Sequence, residues 1–340
     1  MIAIHNSNAG LAPRWIAYCK RHNIRYKLVD CYANDLITHQ LKGCRSLMWY
    51  IHQNNPKDII IAKQILFALE HTGFKVFPDF RTAWHFDDKL GQKYLLERIN
   101  APLVPTYAFY EEADAMAWAE TADFPKVFKL RGGSASANVR LVRTRDEAKR
   151  LIYQAFHGGF ANYDGWGSLK ERWRKYRLGK AGIIEPVKGL IRLFQPPPYA
   201  KTMGREMGYV YFQDFIPGNT YDTRVAIIYG KAIALRRYVR KNDFRASGSG
   251  LMEFDRELFD ERCIRIAFEV TEKLNAQCVS FDFVFNEQNE PLIVEISYGY
   301  VMESYDRCLG YWDRNLNWHE GKYDHEGWMV EALYEVMNAH

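Results

Sequence analysis

Residues 280–297 read SFDFVFNEQNEPLIVEIS, two runs of alternating residue type on either side of the turn-forming NEQNE. Period-two alternation makes this a β-hairpin, with Ser280, Asp282 and Val284 on one face and Ile293, Glu295 and Ser297 on one face of the returning strand. A turn centred on Gln288–Asn289 sets Asp282 opposite Glu295. Two carboxylates facing each other across strands repel unless a cation lies between them. Mg²⁺, which takes hard oxygen ligands and completes its shell with phosphates and water, suits such a pair. Two solvated acids on an exposed hairpin face are the plainer explanation, and the apolar residues flanking both argue against exposure.

Upstream, residues 220–247 read TYDTRVAIIYGKAIALRRYVRKNDFRAS, a second hairpin turning at Tyr229–Lys231. Arg224 precedes the turn, and Arg236, Arg237, Arg240 and Arg245 lie on or beyond the return. Arginine interleaved with apolar residues suggests a half-buried sheet whose guanidiniums face a phosphate or carboxylate. Further upstream, KVFKLRGGSASAN (residues 126–138) joins a strand carrying Lys129 to a loop with Gly132 and Gly133. Such a loop can fold over phosphates while the ammonium neutralises them, although a Gly-Gly loop alone is often only a turn. It does not match G-x-x-x-x-G-K-[ST], which argues against a Walker P-loop.

The remaining elements frame these pieces. Met1–His5, Ile24–Cys31, Leu47–Ile51 and Phe74–Phe80 read as strands and Ile59–His71 as a helix, a small α/β domain. Asp87–Asn100 reads as a helix with Leu90, Tyr94, Leu95 and Ile99 on one face, leading through Pro102 and Pro105 to a strand at Thr106–Tyr110. After the glycine loop, Thr144 and Glu147 form a capping pattern for the next helix. Further helices are expected from about Arg256 to Lys273 and at Gly327–Asn338. The expected fold class is α+β: an α/β domain over residues 1–84, a lid subdomain over 85–212, and a third unit over 213–340.

Of the 340 residues, 48% are hydrophobic and 26% charged, which excludes disordered and low-complexity classes. The formal charge of +5 is concentrated: residues 151–210 hold ten Lys and Arg against four Asp and Glu. Within a basic, aromatic insert at about 158–208, Trp166, Leu169, Trp173 and Tyr176 recur at helical spacing with Lys and Arg between them. That pattern suits peripheral contact with an anionic membrane surface or a lipid-linked acidic substrate, and equally packing on the lid lobe. No nucleic-acid motif is present, and no nucleic-acid partner is expected. The six cysteines have no metal-binding spacing and read as reduced thiols. The start, MIAIHNSNAGLAPRW, lacks a basic region ahead of an apolar one, and no apolar run approaches the ~20 residues of a membrane span. A cytoplasmic protein is expected, with the insert a candidate contact for the inner face of the membrane.

In this order, from about Phe86 to Ser297, the pieces resemble the ATP-grasp superfamily, in particular the RimK-type ligases and glutathione synthetases. The resemblance implies an ATP-grasp fold in which two α+β subdomains grip ATP. Asp88-Lys89 resembles the family's D-K element, making Lys89 a phosphate contact, and FPKVFKLRGG resembles its strand and glycine lid, making Lys129 a second. YFQDFIPG resembles the adenine hinge, with Gln213, Asp214 in place of the usual Glu, Phe215 and Ile216. Y-D-T-R resembles D-I-R, implying Asp222 near the ribose and Arg224 near the transferred phosphate. NDFRAS resembles D-F-R-S-N, placing Arg245 and Ser247 near the phosphates.

Asp282, Glu295 and Ser297 resemble the carboxylate–carboxylate–Asn set for magnesium, two ions in the family, with Ser in place of Asn. Arg224, Arg237 and Arg245 are the implied catalytic arginines, Arg236 remaining an alternative to Arg237. The implied enzyme is an ADP-forming ligase that makes an acyl phosphate and passes it to an amine. Small carboxylates and amines are the expected substrates. Beyond Glu295 the chain reads ISYGYVMESYDRCLGYWDRNLNWHEG, unlike the family's usual Asn-x-x-Pro-Gly ending. The Tyr/Trp-rich stretch from Tyr298 to Trp318, with the insert's cations, would suit an acidic sugar of a cell-surface polysaccharide, free or lipid-linked. An amino-acid or peptide ligase, an ATP-grasp kinase and a non-catalytic ATP sensor remain alternatives.

Overall fold

Four short runs build the first sheet: β1 (Ile2–His5), β2 (Tyr26–Val29), β3 (Ser46–Met48) and β4 (Lys75–Phe77). They pair in parallel in the order β2-β1-β3-β4, and central β1 and β3 are buried throughout, as parallel strands covered on both faces must be. The computed structural model describes residues 1–340 except 9, 134–138, 164, 178, 180–181, 196, 241–242, 247–248 and 339–340. Helices α1 (Ala12–Arg21), α2 (Pro56–His71) and α3 (Phe80–Ala83) pack around this sheet. α2 starts where Asn55 accepts a hydrogen bond from the Lys57 amide at 3.2 Å and Pro56 takes the first helical position.

Helix α4 (Lys89–Arg98) lies where expected but turns a different face inward. Its buried residues are Lys89, Gln92 and Leu96, whereas Tyr94 is exposed. Apolar spacing misplaces the face because the inner side carries two polar groups facing a site: the Lys89 ammonium and the Gln92 amide, which bonds the His85 carbonyl.

The second sheet contains β5 (Thr106–Phe109), β6 (Lys126–Phe128), β7 (Arg140–Val142) and, far along the chain, β10 (Val210–Asp214). Its order is β5-β10-β6-β7, antiparallel, with α5 (Glu112–Thr121) and α6 (Arg145–His157) closing a core around Phe128, Phe212 and Ile152. Thr144 caps α6 by accepting from the Glu147 amide at 3.3 Å, and the Glu147 carboxylate reaches back to the Arg143 amide. Between α6 and β10 the chain leaves the sheet. A two-stranded ribbon, β8 (Phe160–Ala161) with β9 (Arg205–Glu206), closes the base of an excursion holding α7 (Gly165–Arg177), α8 (Ile184–Phe194) and α9 (Pro198–Met203).

The third sheet has seven strands: β11 (Tyr221–Ile228), β12 (Lys231–Tyr238), β13 (Met252–Glu253), β14 (Cys278–Phe285), β15 (Pro291–Ser297), β16 (Gly310–Trp312) and β17 (Trp318–Glu320). The order is β15-β14-β11-β12-β16-β17, with β13 added to β12. One face, with Val225, Ile227, Phe281 and Phe283, packs on α10 (Glu261–Leu274). α10 starts later than expected because Asp260 caps it, accepting from the Arg262 amide at 2.9 Å, and Arg256–Leu258 forms a separate 3₁₀ turn. On the opposite face, Ala226, Ile228, Ile233 and Cys278 join Trp15, Phe77 and Met329 of α11 (His325–Asn338) in a core shared with the first sheet. That shared core fixes the first sheet against the third, and beyond its edge the same face becomes charged.

The 280–297 hairpin has the expected register, Ser280 opposite Ser297 and Asp282 opposite Glu295. A bulge between Asp282 and Phe283 then shifts it. The extra residue turns Ile293 away from Glu295 and into the core with Phe281, so Ile293 does not share the carboxylate face.

Candidate active site

Strand register assembles the charged face. Across β12, β11, β14 and β15 the residues Leu235, Arg224, Asp282 and Glu295 stand in one row, and Arg237 stands opposite Asp222 on the neighbouring one. Arg224 grips Asp282 with two hydrogen bonds, Nε to Oδ1 at 2.5 Å and Nη2 to Oδ2 at 2.7 Å. Arg237 grips Asp222 at 2.8 and 2.6 Å and also reaches Asp282 Oδ2 at 2.8 Å. Arg236, one residue earlier on β12, projects from the other face, with its guanidinium over the Tyr221 ring at 3.9 Å and bonded to the Leu258 carbonyl. Alternation thus settles which of the two arginines faces the site.

The electrostatics follow from this packing. Burial alone would raise the Asp282 pKa, but Arg224 and Arg237 outweigh it and hold the carboxyl well below the usual carboxylate range. Asp222 moves up, because burial and the nearby Asp282 prevail over Arg237. Arg224 and Arg237 are held above their ordinary value in spite of burial, so both stay charged.

Two lysines enter from the other elements. Lys89, 4% exposed at the start of α4, places its ammonium 3.3 Å from Glu295 and donates to the Gly133 carbonyl at 3.0 Å. Burial would lower its pKa, but Glu295 and Asp87 raise it overall. Lys129 follows β6 and donates to the Gln213 side chain at 2.6 Å. Its pKa is lowered to about 8, chiefly by burial and further by Lys89, against the pull of Glu295 and Asp282. Gln213 in turn bonds Thr106 and the Val294 carbonyl, tying the second sheet to the third.

These groups surround one cavity of about 560 Å³ between the second and third sheets. Of the residues singled out in the sequence, Lys89, Lys129, Gly133, Gln213, Asp214, Phe215, Ile216, Asp222, Arg224, Arg237, Arg245, Asp282, Glu295 and Ser297 line it. Gly132 does not: it sits against Asp87, whose carboxylate accepts the Gly133 amide at 2.8 Å. The loop beyond, 134–138, and Ser247 lie outside the described residues. Asp214 pairs with Lys126 at 2.6 Å, and Arg245 is clamped on Asp243.

The donor chemistry fits a magnesium ion. Asp282 Oδ1 accepts from Arg224 Nε, while Oδ2 is shared by both arginines, so Oδ1 and the Glu295 carboxylate retain acceptor capacity toward a hard cation. Ser297 donates its hydroxyl to the Gly299 carbonyl at 2.8 Å, and its oxygen can still accept.

The cavity is also lined by residues that sequence reasoning missed. Tyr50 and Gln53 follow β3, at the carboxyl edge of a parallel sheet, a common ligand position that could have marked them. Tyr305, within the Tyr/Trp-rich stretch singled out in the sequence, also lines it; it is 1% exposed, and among the described residues its hydroxyl has no hydrogen-bond partner. Of the aromatic tail, Tyr300 and Tyr305 line the cavity, whereas Tyr298 anchors the first sheet by bonding Ile51, and Trp312 and Trp318 pack on α10.

No protein-family model and no curated protein matches the chain. Solved structures do. A RimK domain ATP-grasp protein from Sphaerobacter thermophilus DSM 20745 superposes with a TM-score of 0.56 at 13% identity, covering 98% of this chain and 100% of that one. The D-cycloserine synthetase DcsG gives 0.58 at 13% identity over 98% and 99%. A D-alanine–D-alanine ligase from Bacillus anthracis gives 0.54 at 15% over 99% and 98%. Near-complete coverage in both directions at such low identity is a likeness of fold, and the fold of this chain is that of the ATP-grasp proteins, the RimK type among them.

Proposed function

We propose that the protein is an ATP-dependent carboxylate–amine ligase. The carrying observation is the row Arg224–Asp282–Glu295, with Lys89 and Lys129 opposite it, in one cavity between two sheets. Arg224, Arg237, Lys89 and Lys129 meet half-buried carboxylates in a space large enough for a nucleotide and a small acid. In this reading the β6 loop and the two lysines hold the ATP phosphates, and the 213–216 segment lies along the base. Asp222 and Asp282 hold the Arg224 and Arg237 forks in fixed orientation toward the γ-phosphate and the substrate carboxylate. Glu295 and Asp282 would hold magnesium, one ion being what this donor set best suits; when bound it neutralises phosphate charge.

The carboxylate oxygen attacks the γ-phosphorus, ADP leaves, and an acyl phosphate results. An amine then attacks the acyl carbon, loses a proton, and expels inorganic phosphate, giving an amide. Closure of the second sheet over the third would exclude the water that otherwise hydrolyses the intermediate. The acid end, walled by Tyr50, Tyr300 and Tyr305 beside two arginines, suits the ring face and carboxylate of a uronic acid, and an amino acid or short peptide next. Among the described residues the insert's cations do not line this cavity, so a sugar reading rests on these tyrosines and the two arginines.

The test is ATP-dependent phosphate release with product mass spectrometry across panels of carboxylates, uronic acids included, and amines. A product weighing the sum of both substrates less water, lost in Glu295→Ala, supports the ligase. A phosphorylated product without phosphate release overturns it in favour of a kinase, and nucleotide binding without turnover across the panels favours a sensor.

A further inference from the structure

The α7–α8 hairpin lies outside the site and carries the largest concentration of exposed apolar side chains among the described residues. In α8 and the residue before it, Ile183, Ile184, Val187, Leu190, Ile191 and Phe194 are each more than half exposed, Phe194 reaching 84%. Positions 184, 187, 191 and 194 are spaced to form one continuous helical stripe. The other side of α8 is occupied: Gly189 and Pro186 are buried, and a Cβ on Gly189 would meet Leu169 of α7 at 2.9 Å. The hairpin is therefore packed on its inner side, and the stripe is what remains outward. On α7, Trp166 and Trp173 are also exposed, 67% and 47%.

Charge selects the occupant. Lys188 and Arg192 border the stripe on α8, and Lys170, Arg174 and Arg177 stand exposed beside the tryptophans on α7. The acid of α8, Glu185, is taken by Arg172 and Lys188. A second copy docked face to face would bring these cations against their own kind, whereas an anionic bilayer surface neutralises them and takes up the apolar stripe and the tryptophans. The helices are too short to cross a bilayer, and no helix among the described residues is long and apolar enough to do so. They can lie in the headgroup plane.

We propose that the α7–α8 hairpin is a peripheral membrane-binding element for anionic lipid surfaces, with Ile184, Val187, Ile191 and Phe194 entering the acyl boundary. This inference does not depend on the ligase reading. The full-length protein is sedimented with phosphatidylcholine vesicles and with phosphatidylcholine vesicles containing phosphatidylglycerol, at low and high salt. The expected result is binding to the anionic vesicles at least tenfold tighter than to the neutral ones and weakened by salt. The double variant Ile191→Asp/Phe194→Asp should lose it, and Lys188→Glu/Arg192→Glu should lose the lipid-charge preference. Unchanged melting temperature and helicity establish that these variants are folded, as expected for exposed side chains. Failure of the wild type to pellet with anionic vesicles overturns the proposal, as does equal binding by the double-aspartate variant. A concentration-dependent dimer abolished by Ile191→Asp, without vesicle binding, would assign the stripe to a second copy instead.

Discussion

The buried ammonium of Lys129 should make nucleotide binding depend on pH in a way that no exposed lysine would. Its pKa of about 8 in the empty site is set mainly by burial, a cost that ATP phosphates beside it would offset. Binding should therefore return the group toward its ordinary value, with uptake of a proton wherever the empty protein has lost it. The sign is fixed: above pH 8 the free protein holds fewer protons than the complex, so affinity falls as pH rises. With a bound pKa restored to about 10.5, the protonated fraction of the free site drops from about nine-tenths at pH 7 to about 3% at pH 9.5, so Kd for the non-hydrolysed MgAMP-PNP should rise about thirtyfold. Calorimetry in buffers of different ionisation enthalpy should count about 0.9 proton taken up at pH 9. In Lys129→Arg, whose guanidinium stays charged throughout, the fall should flatten. A wild-type Kd constant across this window, or proton release on binding, would refute the assignment of Lys129 to the phosphates.

Other predictions separate the site from its surroundings. Arg237→Ala leaves the buried Asp222 and Asp282 carboxylates without their shared partner and should cost about 3–5 kcal/mol in urea denaturation, with loss of turnover. Arg236→Ala, on the opposite face, should cost about 1 kcal/mol and leave phosphate release intact. Burial raises the Asp87 carboxyl to about 6 from 3.8, so the folded protein holds a proton that the unfolded chain has lost in that window, and stability falls as pH rises through it. In Asp87→Asn that fall should vanish, a gain of at most about 3 kcal/mol at pH 7, read from melting temperature against pH. Gly10 has φ of +68°, and a Cβ there would lie 2.1 Å from the Tyr50 ring, so Gly10→Ala should displace Tyr50 and raise KM for the acid with little change in KM for ATP. Glu295→Ala should abolish magnesium-dependent tightening of ADP binding in titration calorimetry, because Asp282 Oδ1 and the neutral Ser297 hydroxyl are too poor a donor set.

Much of the site could be read in the chain because sheet periodicity is simple. Alternation together with a turn at Gln288–Asn289 puts Asp282 opposite Glu295, and the Tyr229–Gly230 turn, with both residues at positive φ, fixes the register that opposes Asp222 to Arg237. What escaped reading depended on neighbours distant in sequence. The bulge that turns Ile293 into the core has no local signature, and the polar inner face of α4 inverts the apolar pattern because Lys89 meets Glu295, some two hundred residues away. Tyr50 reaches the same cavity as the Tyr/Trp-rich stretch only because the first and third sheets share a core. The amphipathic pattern of residues 166–176 was legible, but the apolar stripe of α8 was not, and that it stays outward required knowing that Gly189 faces Leu169.

The most direct test of acyl-phosphate chemistry follows an oxygen atom. With a turned-over carboxylate labelled with ¹⁸O, and ATP and amine unlabelled, the account predicts that the released phosphate carries a single ¹⁸O, transferred when the acyl phosphate breaks at its carbonyl carbon. Phosphate free of label alongside amide formation would show that the carboxylate oxygen never reaches phosphorus, and would contradict the mechanism proposed for this site.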